Sequence, residues 1–422
     1  MILFVVIAVA FFFLARRNLV LAAALVLFLL PSYQLRFTLL GVPSTFLELL
    51  VFVIVLAWGI RRVTIGGRPL SRMPWRWTTL LFLLSAVLAI FVSPDRMSAL
   101  GYWKAYILEP MLFFLVLWDV VEHERQVRLL LFAIGAASLV LSLVAVLQYL
   151  GLAPSPEPWI SETPKRVTSL LEYPNALGLF TAPLIAFFAT FVLLPRAKDR
   201  QGGLVRWFPL GIVVFGLLSL LFVVSRGGLV AIAAAAVFFG ILSAYRKWIF
   251  TTLALGLFLV VVIPQTRAIV VEIIRGTDAS TDVRYVLWQG TAKLLLDRPI
   301  VGAGLGGFPA LYEQYRLIKH TEFLLYPHNI ILNAWVELGL AGAALFCWFL
   351  IDASRRAFRI VQSDLTPFGR QLVYGTLAAL LVIVVHGIVD VPYFKNDLAI
   401  QFWFLLSLIP IAGRLHLAGQ NH

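Results

Sequence analysis

The sequence predicts an all-α, polytopic integral membrane protein. Three observations carry that prediction. Hydrophobic residues make up 61% of the 422 positions and charged residues only 13%, too little charge to cover a soluble chain of this length. Apolar runs near the roughly 20 residues that cross a bilayer recur along the whole length. Lys and Arg gather in alternate gaps between those runs, the pattern expected of cytoplasmic loops. The composition excludes a soluble enzyme, a disordered chain and a collagen-like chain. The net charge of +13 then reads as a topological bias, and no nucleic-acid partner is expected.

The chain begins apolar, without a basic n-region or a small-residue cleavage site, and reads as a retained span rather than a signal peptide. Residues 1–30 hold two short apolar runs broken by Arg16, Arg17 and Asn18, either one long helix or a hairpin of two. Eleven runs follow, at about 44–60, 77–93, 105–121, 128–150, 174–194, 207–224, 227–245, 248–264, 328–352, 371–391 and 396–413. The expected total is 12 or 13 transmembrane helices. The basic gaps set the orientation: Arg61, Arg62, Arg68, Arg72 and Arg76; Arg125 and Arg128; Arg196, Lys198, Arg200 and Arg206; Arg246 and Lys247; Arg355, Arg356, Arg359 and Arg370. With Arg16, Arg17 and Arg414 these hold most of the 34 basic residues and are placed in the cytoplasm. The chain divides into N-terminal helices over 1–264, a long periplasmic loop over 265–327 and C-terminal helices over 328–422, all in one membrane-embedded domain.

The outer face carries the Pro-rich stretch 151–173, the Ser225-Arg226-Gly227-Gly228 break and the long loop. That loop contains Arg267, Arg275, Arg284, Lys293, Arg298, Arg316 and Lys319, against the positive-inside bias. Long loops escape that bias; anion binding is the other explanation. A structureless loop of this length is uncommon unless functional. Its segment 282–296 is amphipathic at helical period, with Val283, Leu287, Ala292, Leu294 and Leu295 apolar, and should lie on the membrane surface or cap the bundle. No internal repeat is visible, which weighs against a transporter of duplicated halves. The single Cys347 allows neither an intrachain disulfide nor a cysteine metal site.

Chemistry is confined to few residues. No phosphate-binding loop of the Gly-x-x-x-x-Gly-Lys type exists, and the cytoplasmic loops have no room for a nucleotide domain. The run Val301-Gly302-Ala303-Gly304-Leu305-Gly306-Gly307-Phe308 has glycines like a dinucleotide fingerprint but no βαβ context; it reads as a tight turn or a close approach to a ligand. Tyr326-Pro327-His328-Asn329 opens a helix, with Pro suited to its first turn. The positive end of a helix disfavours imidazolium, and a neutral imidazole can act as a general base. Asn329, Asn333 and Glu337 form one stripe, facing the bundle or a cavity rather than lipid. His386 and Asp390 form a second pair at i, i+4, functional or structural. Arg226 lies between two apolar runs, a costly position unless paired, hydrated or snorkelling. Lys165, Arg166 and Arg284 share its side of the membrane, and Arg reads phosphate with a two-donor fork. The outer acidic residues Asp95, Glu157, Glu162, Asp278, Asp282 and Asp297 lack metal-ligand spacing, so no metal and no cofactor is expected.

Four pieces in order on one face resemble the O-antigen ligase-related membrane proteins, which include O-antigen ligases and Wzy-type polymerases. They are Arg166 through Pro174-Asn175; Ser225-Arg226-Gly227-Gly228; Arg284-x-x-x-Trp288 leading into Asp297-Arg298-Pro299-Ile300 and the glycine run; and His328-Asn329-x-x-Leu332 with Glu337-x-Gly339-x-x-Gly342. The resemblance covers about 165–345. It implies a GT-C-like, inverting, metal-independent glycosyltransferase of the bacterial inner membrane. The donor would be a glycan on undecaprenyl diphosphate and the acceptor lipid A-core or another glycan, met at the periplasmic face within membrane lipid. It implies catalytic roles for Arg226, Arg284 and His328. Asp390 corresponds to a further family aspartate; with it, Arg166 and Asn175 on the outer face and Asn329 and Glu337 of the polar stripe are the candidate substrate-binding positions.

A transporter or flippase of lipid-linked glycan is the alternative from another class. It needs charges along a path to both faces, whereas the inner halves of the spans are nearly charge-free apart from Glu48. A scaffold would need neither the polar stripes nor Arg226 in a tight turn.

Overall fold

The computed structural model describes residues 2–39, 42–194, 203–275, 279–317 and 324–419. Arg196, Lys198, Arg200, Asp278 and Lys319 lie outside them. Of the described residues 77% are helical, and the described strands are one hairpin, Arg36–Leu39 with Val42–Thr45. It is an all-α polytopic membrane protein.

The first run of the chain forms two helices, α1 (Ile2–Arg17) and α2 (Leu19–Phe28), meeting at Asn18. Asn18 has extended backbone and its side chain accepts from the Leu21 amide, so a single capping residue makes the break. Then come α3 (Phe46–Thr64), α4 (Arg76–Val92), α5 (Arg96–Trp103) running through a π turn into α6 (Glu109–Val120), and α7 (Glu124–Tyr149). The central group is α8 (Pro174–Leu193), α9 (Gly203–Val223), α10 (Arg226–Leu242) and α11 (Arg246–Val262). The long loop is itself helical: α12 (Pro264–Arg275), α13 (Ala279–Asp297) and α14 (Phe308–Tyr312). The chain closes with α15 (Ile330–Val361), α16 (Pro367–His386) and α17 (Asn396–Gly419). Each of the eleven apolar runs falls on one of these helices. Six described helices are long and apolar enough to cross a membrane, and four shorter ones are apolar; the expected 12 or 13 counts runs, many of which form helices shorter than a full span.

Helix α8 is the hub, packed on α7, α9, α10 and α16. It is apolar and buried almost all round, as a central helix should be. Ala182, Ala186 and Ala189 of α8 meet Ala231 and Ala235 of α10 and Ala378 of α16. Lipid tails give helices no hydrophobic reason to associate, so small residues that let backbones approach supply the contact. Elsewhere α17 packs on α6 and α16, and α4 on α15.

Two chemically different ends result. At one end the predicted cytoplasmic loops meet: Arg62 pairs with buried Asp119 at 3.2 Å, Trp58 Nε1 donates to the same carboxylate at 2.8 Å, and Arg414 donates to the Trp118 and Val121 carbonyls. At the other end Gln34 reaches the Leu170 carbonyl, Arg36 pairs with Glu172 and Arg166 reaches Val223. Glu48 belongs to this second end, not to the inner half of a span. It lies in the first turn of α3 in a capping box with Thr45, paired with Lys104 at 3.0 Å and accepting from Asn396 at 3.0 Å.

Candidate functional site

Five chain segments converge at the second end. The first runs from Arg166 to Asn175 at the start of α8. The Arg166 guanidinium donates through Nε to the Val223 carbonyl (3.0 Å) and through Nη2 to Asn175 Oδ1 (2.9 Å). Asn175 Nδ2 donates onward to Asp390 Oδ2 at 3.2 Å. Asp390, 1% exposed, also takes the Val391 amide at 2.9 Å and faces His328 Nδ1 at 3.2 Å. An unbroken polar chain therefore links Arg166, Asn175, Asp390 and His328.

The electrostatics follow from that chain. Burial works against the Asp390 charge, but the His328 hydrogen bond, the charges of His328 and His386 and the Val391 amide outweigh it and hold its carboxyl at about 2. Burial lowers Arg166 from its usual value; Glu162 opposes this and the charge of Arg284 adds to it, so the two arginines feel one another. Tyr326 packs against the His328 ring at 4.5 Å, and its hydroxyl lies 3.5 Å from that of Tyr173. Burial foremost raises both phenols above their ordinary value, so both stay protonated near neutrality.

Helix α13 frames the site. Arg284 and Trp288, four apart and so on one face, each hold a turn: Arg284 Nε donates to the Val389 carbonyl at 2.8 Å and Trp288 Nε1 to the Pro327 carbonyl at 2.9 Å. Alongside that row α13 seats Leu287, Leu294 and Leu295 against Phe308, Tyr312 and Val336. The helix thus caps the bundle. Thr291 is buried in the face where Ala292 was expected, and Ala292 is exposed. The amphipathic count was one position out because the packed row runs 287, 291, 294, 295.

Arg226 is the exposed first residue of α10, and Ser225 caps the helix by accepting the Gly228 amide. Val224 before it has φ 56°, which turns the chain sharply out of α9. A Cβ on Gly227 would lie 2.6 Å from Val389 Cγ2 and 3.0 Å from His386 Cδ2. The glycines therefore let the 386–390 turn press against the start of α10, which puts Arg226 beside the Asp390 loop.

Other expected residues sit differently. His328 precedes the helix with φ 47°, and Asn329 is the N-cap of α15, so Pro327 is outside the first turn. Asn329 is occupied structurally: its Oδ1 accepts from Ile331 and Leu332 and its Nδ2 donates to the Ile388 carbonyl. Glu337 is not brought to His328; its carboxylate takes the Gly306 amide at 2.6 Å. This locks the glycine run onto α15, where Gly339 breaks the helix at φ 70° and a Cβ there would overlap the Ile300 carbonyl. His386 and Asp390 share a backbone hydrogen bond, but the carboxylate turns to His328 because α16 ends at His386. Sequence reasoning missed Tyr173 and Tyr326; their only signal was adjacency to Pro174 and Pro327.

Residues 211–347 match the family model for O-antigen ligase. The match supports an O-antigen ligase-related family. No curated protein matches the chain. The matched segment contains Arg226, Arg284, His328 and Glu337, whereas Arg166, Asn175 and Asp390 lie outside it and join it only in the fold. For a multi-pass membrane protein, O-antigen ligase relatedness supports ligase- or polymerase-type function in general, a glycosyltransferase-like activity on a lipid-linked glycan.

Proposed function

We propose that the protein is an inverting, metal-independent glycosyltransferase of the bacterial inner membrane. It moves a glycan from undecaprenyl diphosphate to a hydroxyl of lipid A-core at the periplasmic face. The observation that carries this reading is the contact of His328 Nδ1 with buried Asp390. An ionised Asp390 keeps the imidazole proton on Nδ1 and leaves the Nε2 lone pair for an incoming hydroxyl, the role a carboxylate plays toward a catalytic histidine.

In the proposed step the acceptor oxygen bonds to the anomeric carbon as the bond to the diphosphate oxygen breaks. The hydroxyl proton passes to His328 Nε2. Arg226 and Arg284 meet the charge growing on the departing diphosphate, a stabilisation of the oxyanion-hole kind. Arg166 and Asn175 hold Asp390 in place. Cleavage of the glycosyl–diphosphate bond, with the diphosphate as leaving group, supplies the driving force, so no nucleotide is needed.

The test is a reconstituted transfer assay with undecaprenyl-diphosphate glycan, with and without lipid A-core, beside a His328→Ala control. Glycolipid that depends on the core and on His328 supports ligation. Longer polyprenyl-linked glycan formed without core redirects the reading to polymerisation. Movement of the lipid between leaflets without product replaces it with transport. Loss of activity in EDTA, restored by added metal, overturns the metal-free mechanism.

A further inference from the structure

A groove of about 220 Å³ opens at the opposite end of the bundle, where the basic loops gather. Ile360, Ile409 and Pro410 form an apolar wall, and Trp75, Arg356 and Arg359 supply its polar groups. Arg356 and Arg359 stand three apart on α15 and so share a face. Arg356 is paired with Asp352 at 2.7 Å and lies 5.8 Å above the Trp75 ring. Arg359 is exposed and makes no ion pair or hydrogen bond among the described residues.

Trp75 is the unusual member. It is 4% exposed, yet its Nε1 has no acceptor among the described residues, and a buried donor left unpaired is uncommon. Its backbone is left-handed, φ 59°, at the N-cap of α4, a conformation that bulky residues rarely adopt. Phe114 and Phe349 hold the ring at 6.1 and 5.5 Å. Strain of this kind persists where the surroundings fix it, often at ligand clamps.

We propose that this groove binds the phosphate headgroup of an anionic phospholipid from the leaflet on the basic side. The chemistry matches part by part. Arg359 and Arg356 present guanidinium forks that suit phosphate oxygens, the indole N–H gains an acceptor, and the apolar wall takes the glycerol and first acyl carbons. Basic pockets between helices on the cytoplasmic side are where such headgroups bind. Asp352 is already engaged by Arg356 and does not repel the ligand unopposed. This site stands apart from the proposed catalytic end and does not depend on it.

The test uses the full-length protein in phosphatidylcholine nanodiscs with and without phosphatidylglycerol, with retained lipid counted by native mass spectrometry. Arg359→Glu should cut retained phosphatidylglycerol about tenfold, the loss of one charge-assisted phosphate contact. Trp75→Phe keeps the packed ring, removes only the N–H and should lower retention by a smaller factor. Lys247→Glu makes the same charge change at an exposed residue on the same end and should leave retention unchanged. Equal losses in Lys247→Glu and Arg359→Glu, or none in Arg359→Glu and Trp75→Phe, overturn the proposal. A parallel titration with inorganic phosphate separates the sources: displacement of the lipid by millimolar phosphate assigns the site to the free anion and overturns the lipid.

Discussion

Replacing Asp390 with Asn puts the proposed mechanism under the most direct strain. The buried carboxylate accepts from His328 Nδ1 (3.2 Å) and the Val391 amide (2.9 Å) on one oxygen and from Asn175 Nδ2 (3.2 Å) on the other. An amide has one acceptor oxygen, so one side must lose. If that oxygen faces His328, the new NH2 meets the Asn175 NH2, which cannot turn because its Oδ1 takes Arg166 Nη2. If the oxygen faces Asn175, the new NH2 meets the Val391 N–H and His328 Nδ1. The imidazole must then accept at Nδ1, and its proton moves to Nε2, where it blocks base catalysis. Either arrangement leaves a buried donor unpaired, which costs about 1–3 kcal/mol. Loss of a positioned base costs roughly 10²–10⁴ in rate; Asp→Asn in a Ser-His-Asp triad lies at the upper end, about 10⁴. Single-turnover transfer in proteoliposomes should therefore fall on the order of 10³-fold. Residues acting as one unit do not add, so Asp390→Asn with His328→Ala should be no slower than His328→Ala alone. A rate indistinguishable from wild type in Asp390→Asn, or a double variant whose loss multiplies the two single losses, refutes the reasoning.

Arg226→Ala and Arg284→Ala should each abolish transfer while the protein still inserts, and Lys should rescue poorly because the fork is lost; near-normal turnover in both alanine variants removes the diphosphate clamp. Asp390 lies at about 2 against an ordinary 3.8, a depressed value, so its stabilisation is present above the ordinary value and lost as pH falls through the folded one. That is about 2 kcal/mol at 1.36 kcal/mol per unit, so the gap in unfolding temperature between wild type and Asp390→Asn should narrow between those two pH values; a constant gap contradicts it. Gly339→Ala forces a side chain into φ 70° against the Ile300 carbonyl and should destabilise by at least about 1–2 kcal/mol. Gly101→Ala, with nothing within 4 Å of the new Cβ, should be neutral or slightly stabilising, and the two are compared by thermal unfolding.

The legible parts of the fold were those that periodicity and charge encode. Every apolar run became a helix, and the basic loops that are described gathered at one end, because length and charge act locally. The gathering of Arg166, Asn175, His328 and Asp390 was legible only as separate residues on one face. Their pairing was not, because it depends on where helices stop. His386 and Asp390 have helical spacing, yet α16 ends at His386, and the turn carries the carboxylate to His328. Pro327 reads as a helix start, but the left-handed backbone of His328 delays the helix to Ile330. Glu337 belongs to a polar stripe, and its actual partner, the Gly306 amide, comes from a distant glycine run that no helical spacing on α15 points to. Trp75 gave no sign of itself, since a left-handed φ at a tryptophan has no sequence signature.

The role of α13 explains why a long loop belongs to a site made largely by transmembrane helix ends. Val389, held by Arg284, is the residue before Asp390; Pro327, held by Trp288, is the residue before His328. One helix therefore sets both partners of the central contact, through side chains one turn apart. The same helix packs through Leu287, Leu294 and Leu295 on the 308–312 segment and Val336, and the glycine run just before that segment is tied to α15 by the Gly306 amide on Glu337. Displacing α13 would free both turns from that helix, while the Asn329 Nδ2–Ile388 and Ile330 N–Gly387 hydrogen bonds would still join them to each other. Arg284 is then needed twice in the proposed reaction, as a tie to the Val389 carbonyl through Nε and as a charge facing the diphosphate. A lysine there has a single nitrogen for both tasks.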